Sequence, residues 1–293
     1  MLSRINDFAQ SSKTVTEARK HTGNVSPVKE VALFIGWFIV LMILMGIIGL
    51  ILNFSVKNPS NDVTVLLSLL AFIPAPFFMI LLSRRIEKRS LESFGFSPNA
   101  LMSVAKGLLI GLVMFLAVVA IGIISGQYRF TGFDFGCAYL FIPYLVCFAI
   151  QSFGEEFYTR GWTLTYFSKN HSIITAIIIS CIVFIIPHMM NNGLNVMAII
   201  NIFLMGLVLA VLFLRFDSIW VCCGIHTIWN FTQGFLLGFN VSGIETSSII
   251  KFTQTSSSII GGGAFGPESS LIATFVIVIA LVLAIYYPKK SKI

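Results

Sequence analysis

Two adjacent carboxylates, Glu155 and Glu156, stand in an otherwise apolar run, and Arg160 follows Glu156 by four residues. On a helix, positions four apart share a face, so Glu156 and Arg160 can pair, with the acid N-terminal as the better order. Glu155 points about 100° away and lacks that partner. One division of labour follows: Arg160 neutralises Glu156, while Glu155 faces a cavity and takes a proton from water. The plainer reading is a cytoplasmic helix end carrying solvated charges.

Two further places repeat the anomaly. His188 follows Pro187 in an apolar run, and proline removes a helical hydrogen bond and opens room for a side chain or water. His226 and Asn230 are again four apart and project from one helical face. Taken singly, His188 reads as a satisfied structural residue, and His226 with Asn230 as a bridge between helices. Together they amount to two carboxylates, two imidazoles, an amide and a guanidinium, the components of a hydrolytic site. A carboxylate can activate water, and His and Asn can bind a metal or hold an oxyanion.

The elements that must position these groups are membrane helices. The chain has 293 residues, of which 57% are hydrophobic and only 11% charged, with a mean hydropathy of +0.93. A water-soluble domain usually carries about a quarter charged residues, so the solvent here is lipid. Eight apolar stretches approach the roughly 20 residues a crossing needs, at about 31–54, 63–83, 101–125, 137–157, 173–190, 196–214, 219–238 and 271–287. The fourth can continue as helix to about Phe167. The expected fold is thus all-α, a polytopic helical bundle. A cytoplasmic N-terminal segment occupies 1–30, a single transmembrane domain 31–293, and a motif-bearing core 136–238. Intramembrane ionisable residues are functional candidates by default.

With the N-terminus in the cytoplasm, sixteen of the nineteen Lys and Arg residues fall inside, leaving only Lys57, Arg129 and Lys251 outside. Both termini are then cytoplasmic, and the net charge of +7 belongs to membrane orientation and anionic headgroups, not to nucleic acid. The five cysteines lie in apolar segments without C-x-x-C spacing and read as packing residues. The stretch Asn240–Ser270, with Ser256-Ser257-Ser258 and Gly261-Gly262-Gly263, reads as a flexible external loop. Prolines Pro74, Pro76, Pro143 and Pro187 should kink or break their spans. Counting about 1.5 Å per residue, His226 lies roughly 13 Å from Asp217 and Glu155 up to about 21 Å from Lys169. His188 comes out deeper, towards the outer side.

Glu155-Glu156-x-x-x-Arg160, Phe184-x-x-x-His188 and His226-x-x-x-Asn230, in this order on separate spans, resemble the motifs of the CPBP family of intramembrane peptidases, also called Abi or CAAX-protease-like. The resemblance implies an eight-helix fold, a site opening to the cytosol, and an intramembrane endopeptidase acting on a membrane-associated peptide or protein. It implies that Glu155 is the water-activating base, that His188 positions the water or binds a metal, and that His226 and Asn230 stabilise the oxyanion. Glu156 and Arg160 would hold the base in place. A zinc ion on Glu155, His188 and His226 and a metal-free glutamate mechanism both stay open, since His-Glu-x-x-His is absent and one Glu with two His still supplies three ligands. The abundance of Phe, Ile, Asn and Lys suggests an AT-rich bacterial genome. That places the chain in a bacterial cell membrane and favours a leader peptide, pheromone or lipidated peptide over a prenylated substrate. A non-catalytic scaffold or bacteriocin-immunity protein of the same fold is the main alternative. A transporter fits less well, because no inverted repeat is visible.

Overall fold

The computed structural model describes residues 1–20, 26–255 and 259–287. Ser256-Ser257-Ser258 and the tail residues Lys289, Lys290 and Lys292 lie outside the described residues. The helices are α1 (Leu2–Ser11), α2 (Lys13–Arg19), α3 (Pro27–Phe54), α4 (Asn61–Leu70), α5 (Pro74–Ile86), α6 (Ala100–Ile124), α7 (Phe141–Glu156), α8 (Thr165–Phe167), α9 (Ile173–Ile185), α10 (Val196–Phe216), α11 (Ile219–Phe231) and α12 (Leu271–Tyr286). Their starts are written in the sequence. Ser26, Ser60, Ser172, Asn195 and Ser270 each accept a backbone N–H of the following first turn, which satisfies donors that the helix leaves open.

Among the described residues six helical runs are long and apolar enough to cross a bilayer: Pro27–Phe54, Asn61–Ile86, Ala100–Ile124, Phe135–Phe167, Ile173–Met190 and Val196–Phe216. The two remaining expected spans are shorter. Helix α12 has 16 residues and covers only about 24 Å of a roughly 30 Å hydrocarbon core; α11 has 13 before Thr232–Leu236 continues it as π-helix. Length and apolarity therefore support six of the eight crossings directly. Ile35, Ile39, Ile43 and Ile47 on α3 are all exposed, as an apolar solvent allows. All five cysteines are buried and free, in keeping with a packing role.

Pro143 lies in the first turn of α7, where no intrahelical hydrogen bond is lost, and does not break it; the other expected breaks appear. The run 61–86 breaks between Leu70 and Pro74, and Pro187 sits in a 3-10 turn, Ile186–Met190, that ends α9.

Contacts sort the connections into two ends. At one end Arg4 donates to the Tyr286 carbonyl at 3.0 Å, and Arg215 to that of Ala284 at 2.7 Å. Asp217 accepts Ser12 Oγ at 2.6 Å and the backbone N–H of Lys13 and Thr14 at 3.0 and 3.1 Å, seating α2 on its carboxylate. Glu30 holds Asn170 and His171, both at 2.9 Å. The described part of the N-terminal segment is thus helical and packed on the bundle, at the end where α12 finishes.

The opposite end is closed by the connection 237–270. It is not the structureless loop expected from its Ser and Gly content. Its strand β2 (Ile250–Gln254) pairs antiparallel with β1 (Tyr128–Phe133), Asp62 accepts Ser247 N–H and Oγ at 3.0 and 2.8 Å, and Gly243 N–H reaches the Phe265 carbonyl at 2.8 Å. Cross-chain pairing supplies order that local composition does not encode.

Helix α11, which carries His226 and Asn230, lies in backbone contact with α6. A Cβ on Gly107 would stand 2.2 Å from the Val221 carbonyl, one on Gly111 2.6 Å from that of Ile225, and one on Gly224 2.5 Å from that of Val104. Small residues let membrane helices approach this closely. Gly224→Val is expected to cost about 1–3 kcal/mol by overpacking. Thermal unfolding of the purified protein would show it, with Gly46→Val, whose Cβ meets nothing within 4 Å, as the unperturbed control.

Candidate active site

The α-helix of α7 gives way to a π-helical segment, Phe157–Leu164, directly after Glu155 and Glu156. Such wider turns appear often at functional sites. The expected pair forms: Arg160 Nη1 donates to Glu156 Oε1 at 3.0 Å, with both side chains fully buried. The guanidinium also donates to Thr159 Oγ1 at 2.8 Å and the Gly206 carbonyl at 3.3 Å, and lies 4.4 Å over the Phe184 ring. The solvated-helix-end reading is set aside by this burial.

His226 stands between the two carboxylates. Its Nδ1 is 3.0 Å from Glu156 Oε1, and its Nε2 is 3.8 Å from Glu155 Oε2. That second separation is too long for a hydrogen bond, but one water at about 2.8 Å from each atom spans it. Glu155 Oε1 accepts from Gln151 Nε2 at 3.0 Å, while Oε2 is buried with no hydrogen-bond partner in the protein. A buried, unpartnered carboxylate oxygen calls for a donor from outside the chain, such as water or substrate.

His188 Nδ1 is 2.9 Å from the Phe184 carbonyl. A carbonyl can only accept, so Nδ1 carries the proton, and the neutral ring keeps Nε2 as an acceptor. His188 sits in the 3-10 turn Ile186–Met190 and lines a cavity together with Gln151 and Glu155 of α7. Phe184 meets both rings edge-on, with centroids 5.3 Å from His188 and 5.9 Å from His226.

Two cavities adjoin these groups. One is lined by Gln151, Phe184, His188, Asn201, His226, Asn230, Ser242 and Glu268 with apolar neighbours; its space for water centres is about 50 Å³, enough for a few waters. The other is lined by Phe72, Glu155, Pro187, Asn191 and Ile244. Gln151, His188 and Ser242 border both, so Glu155 and the imidazoles face contiguous space. The structure thus brings Glu155, His188, His226 and Asn230 together, and sets Glu156 and Arg160 behind them as support.

Four residues went unread in the sequence. Gln151 bridges Glu155 to Asn230, whose Nδ2 donates to Gln151 Oε1 at 3.1 Å; its signal was its i, i+4 spacing from Glu155. Asn201, a lone amide in an apolar helix, donates to the Glu268 and Ser270 carbonyls, both at 2.8 Å. Ser242 and Glu268 arrive from a connection whose course no local pattern foretells.

Residues 137–232 match the family model described as type II CAAX prenyl endopeptidase Rce1-like. Over these residues the motif-bearing core is similar to the CAAX-protease-like family. No curated protein and no solved structure matches the chain. The matched segment contains every one of the six motif residues, from Glu155 to Asn230. The connection residues that line the two cavities, Asn191, Ser242, Ile244 and Glu268, belong to the end opposite the one where Arg4 and Arg215 meet the last turn of α12.

Among the described residues no group of three His, Cys, Asp or Glu side chains is arranged to hold a metal ion.

Proposed function

We propose that this chain is an intramembrane endopeptidase that hydrolyses a peptide bond of a membrane-associated peptide or protein, with Glu155 as the base. The observation that carries the reading is the buried, unpartnered Glu155 Oε2 3.8 Å from His226 Nε2, beside space for water. A water in that gap gives a proton to Glu155, and its oxygen forms the bond to the scissile carbonyl carbon. His188 Nε2, its other nitrogen tied to Phe184, accepts the water's second hydrogen and fixes its direction. Flanked by two carboxylates, His226 in its imidazolium form donates Nδ1–H to Glu156 and offers Nε2–H to the developing oxyanion. Asn230 offers the amide hydrogen that Gln151 leaves free. Such donors, fixed before the reaction, stabilise charge where it develops. Glu155 then passes its proton to the leaving nitrogen as the C–N bond breaks.

The test is cleavage of bilayer-anchored peptides by the purified protein in ¹⁸O-water, with products read by mass spectrometry. One heavy oxygen in the new carboxyl group and one new amine are expected. Removing divalent metals with a strong chelator should leave the rate within about twofold, because the proposed steps use only protein groups. Loss of activity on chelation with recovery on adding zinc would replace this mechanism by the metal-dependent one. A folded protein that binds such peptides without cutting them would return the chain to the scaffold or immunity reading.

A further inference from the structure

Glu268 is an acidic residue brought into the cavity from outside the spans. The backbone around it is clamped: Asn201 Nδ2 donates to the carbonyls of Glu268 and Ser270, both at 2.8 Å, and Asn201 Oδ1 accepts Thr274 Oγ1 at 2.7 Å. Ser242 directs both its backbone N–H and its hydroxyl, the latter at 2.6 Å, to a single oxygen of the Glu268 carboxyl, Oε1. Among the described residues no donor reaches the other oxygen. The side chain lines the same cavity as His188, His226 and Asn230. A side chain held by one oxygen, with the other left for the cavity, is arranged to meet a ligand.

The charge balance of that space says which ligand. No Lys or Arg lines either cavity. Arg160 is spent on Glu156 behind the site. The carboxylates of Glu155 and Glu268 thus face the space with only the imidazoles as potential cations. An anion entering here meets like charge in a poorly solvated setting, whereas an ammonium or guanidinium gains a partner.

Building on the hydrolase reading, we propose that Glu268 is a specificity residue that draws a cationic substrate group, a Lys or Arg side chain or a free amine, into the cavity. Burial pushes the Glu268 carboxyl up to about 7, against the hydrogen bonds from Ser242. The charge of His226 on α11 lowers it and that of Glu155 on α7 raises it, with His188 after α9 on the same cavity. A group ionising near 7 accepts a cation better above that pH than below it. Selection for the cation should therefore strengthen as pH rises through about 7. The readout is the ratio between the Lys and Glu peptides at each pH, compared between proteins with Glu and with Gln at position 268.

The experiment compares three bilayer-anchored peptides, identical except for Lys, Gln or Glu at the positions flanking the target bond. Binding is measured on the full-length Glu155→Gln protein, so no turnover is needed, and cleavage is measured on the unmodified protein. The Lys peptide should bind at least tenfold more tightly than the Glu peptide. Glu268→Gln, which keeps the acceptor for Ser242, should bring that ratio below about threefold, and Glu268→Lys should invert it. An unchanged Lys-to-Glu ratio in the Glu268→Gln protein overturns the proposal, as does equal binding of the three peptides before any change at Glu268. Selective binding without cleavage by the unmodified protein would keep Glu268 as the specificity residue and overturn the hydrolase reading alone.

Discussion

Glu155→Gln is expected to lower the cleavage rate by about 10²–10⁴, the range that a positioned acid or base contributes, while substrate binding changes little. The substitution is nearly isosteric. Its amide oxygen can still accept the Gln151 Nε2–H that now reaches Glu155 Oε1 at 3.0 Å. What disappears is the oxygen at Oε2 able to take a proton from water, replaced by an amide nitrogen that can only donate. The loss should therefore fall on kcat with KM nearly unchanged, the signature of an interaction made in the transition state. Single-turnover kinetics at saturating peptide, with a melting curve to show that the variant is folded, would measure it. A rate within threefold of the unmodified protein removes Glu155 as the base.

Arg160→Ala is expected to be the most damaging single change to stability. The guanidinium is fully buried, and so is its partner Glu156. Removing one member of a buried pair leaves an uncompensated charge and typically costs about 3–5 kcal/mol. Here the loss also opens the donor to Gly206 on α10 and the contact with Phe184. His226 Nδ1, also bonded to Glu156 Oε1, would be left as the only cationic partner of that carboxylate. The double change Glu156→Gln with Arg160→Met should be less harmful than Arg160→Ala alone, because the orphaned charge is gone. Denaturant or thermal unfolding of the three proteins decides the matter. Additive losses in the double variant would show that the two side chains do not work as a pair.

The spacing rules carried the site a long way. Glu156 and Arg160 pair as residues four apart on a helix should, and the third position of the argument, Glu155, does turn to a cavity of its own. Local rules could not reveal the support around them. Gln151 and Asn201 are unremarkable amides until tertiary packing sets them opposite Asn230 and Glu268. The helix count shows the same limit from the other side, since α12, by its length, and α11, which turns π-helical after 13 residues, fall below what hydropathy alone promised. His188 stands close to the connection residues Asn191 and Ser242 that line the same cavity, in line with its reading as the group nearest the outer side. The connection 237–270 misled most. Its Ser and Gly content is that of a flexible linker, yet strand pairing with β1 and the hold of Asp62 and Asn201 give it a fixed course. Those contacts are long-range, and a window of neighbouring residues holds no record of them.

The glycine contacts between α6 and α11 make one flank of the bundle an anvil. With carbonyl groups less than 3 Å from where side-chain carbons would begin, α11 has no slack to slide or rotate, and His226 and Asn230 stay where they are. A peptide chain is far larger than the few waters the cavity holds, so something must yield to admit it. Away from α6, the run 61–86 is interrupted before Pro74, and Phe72 rests against Gly154, one residue before Glu155.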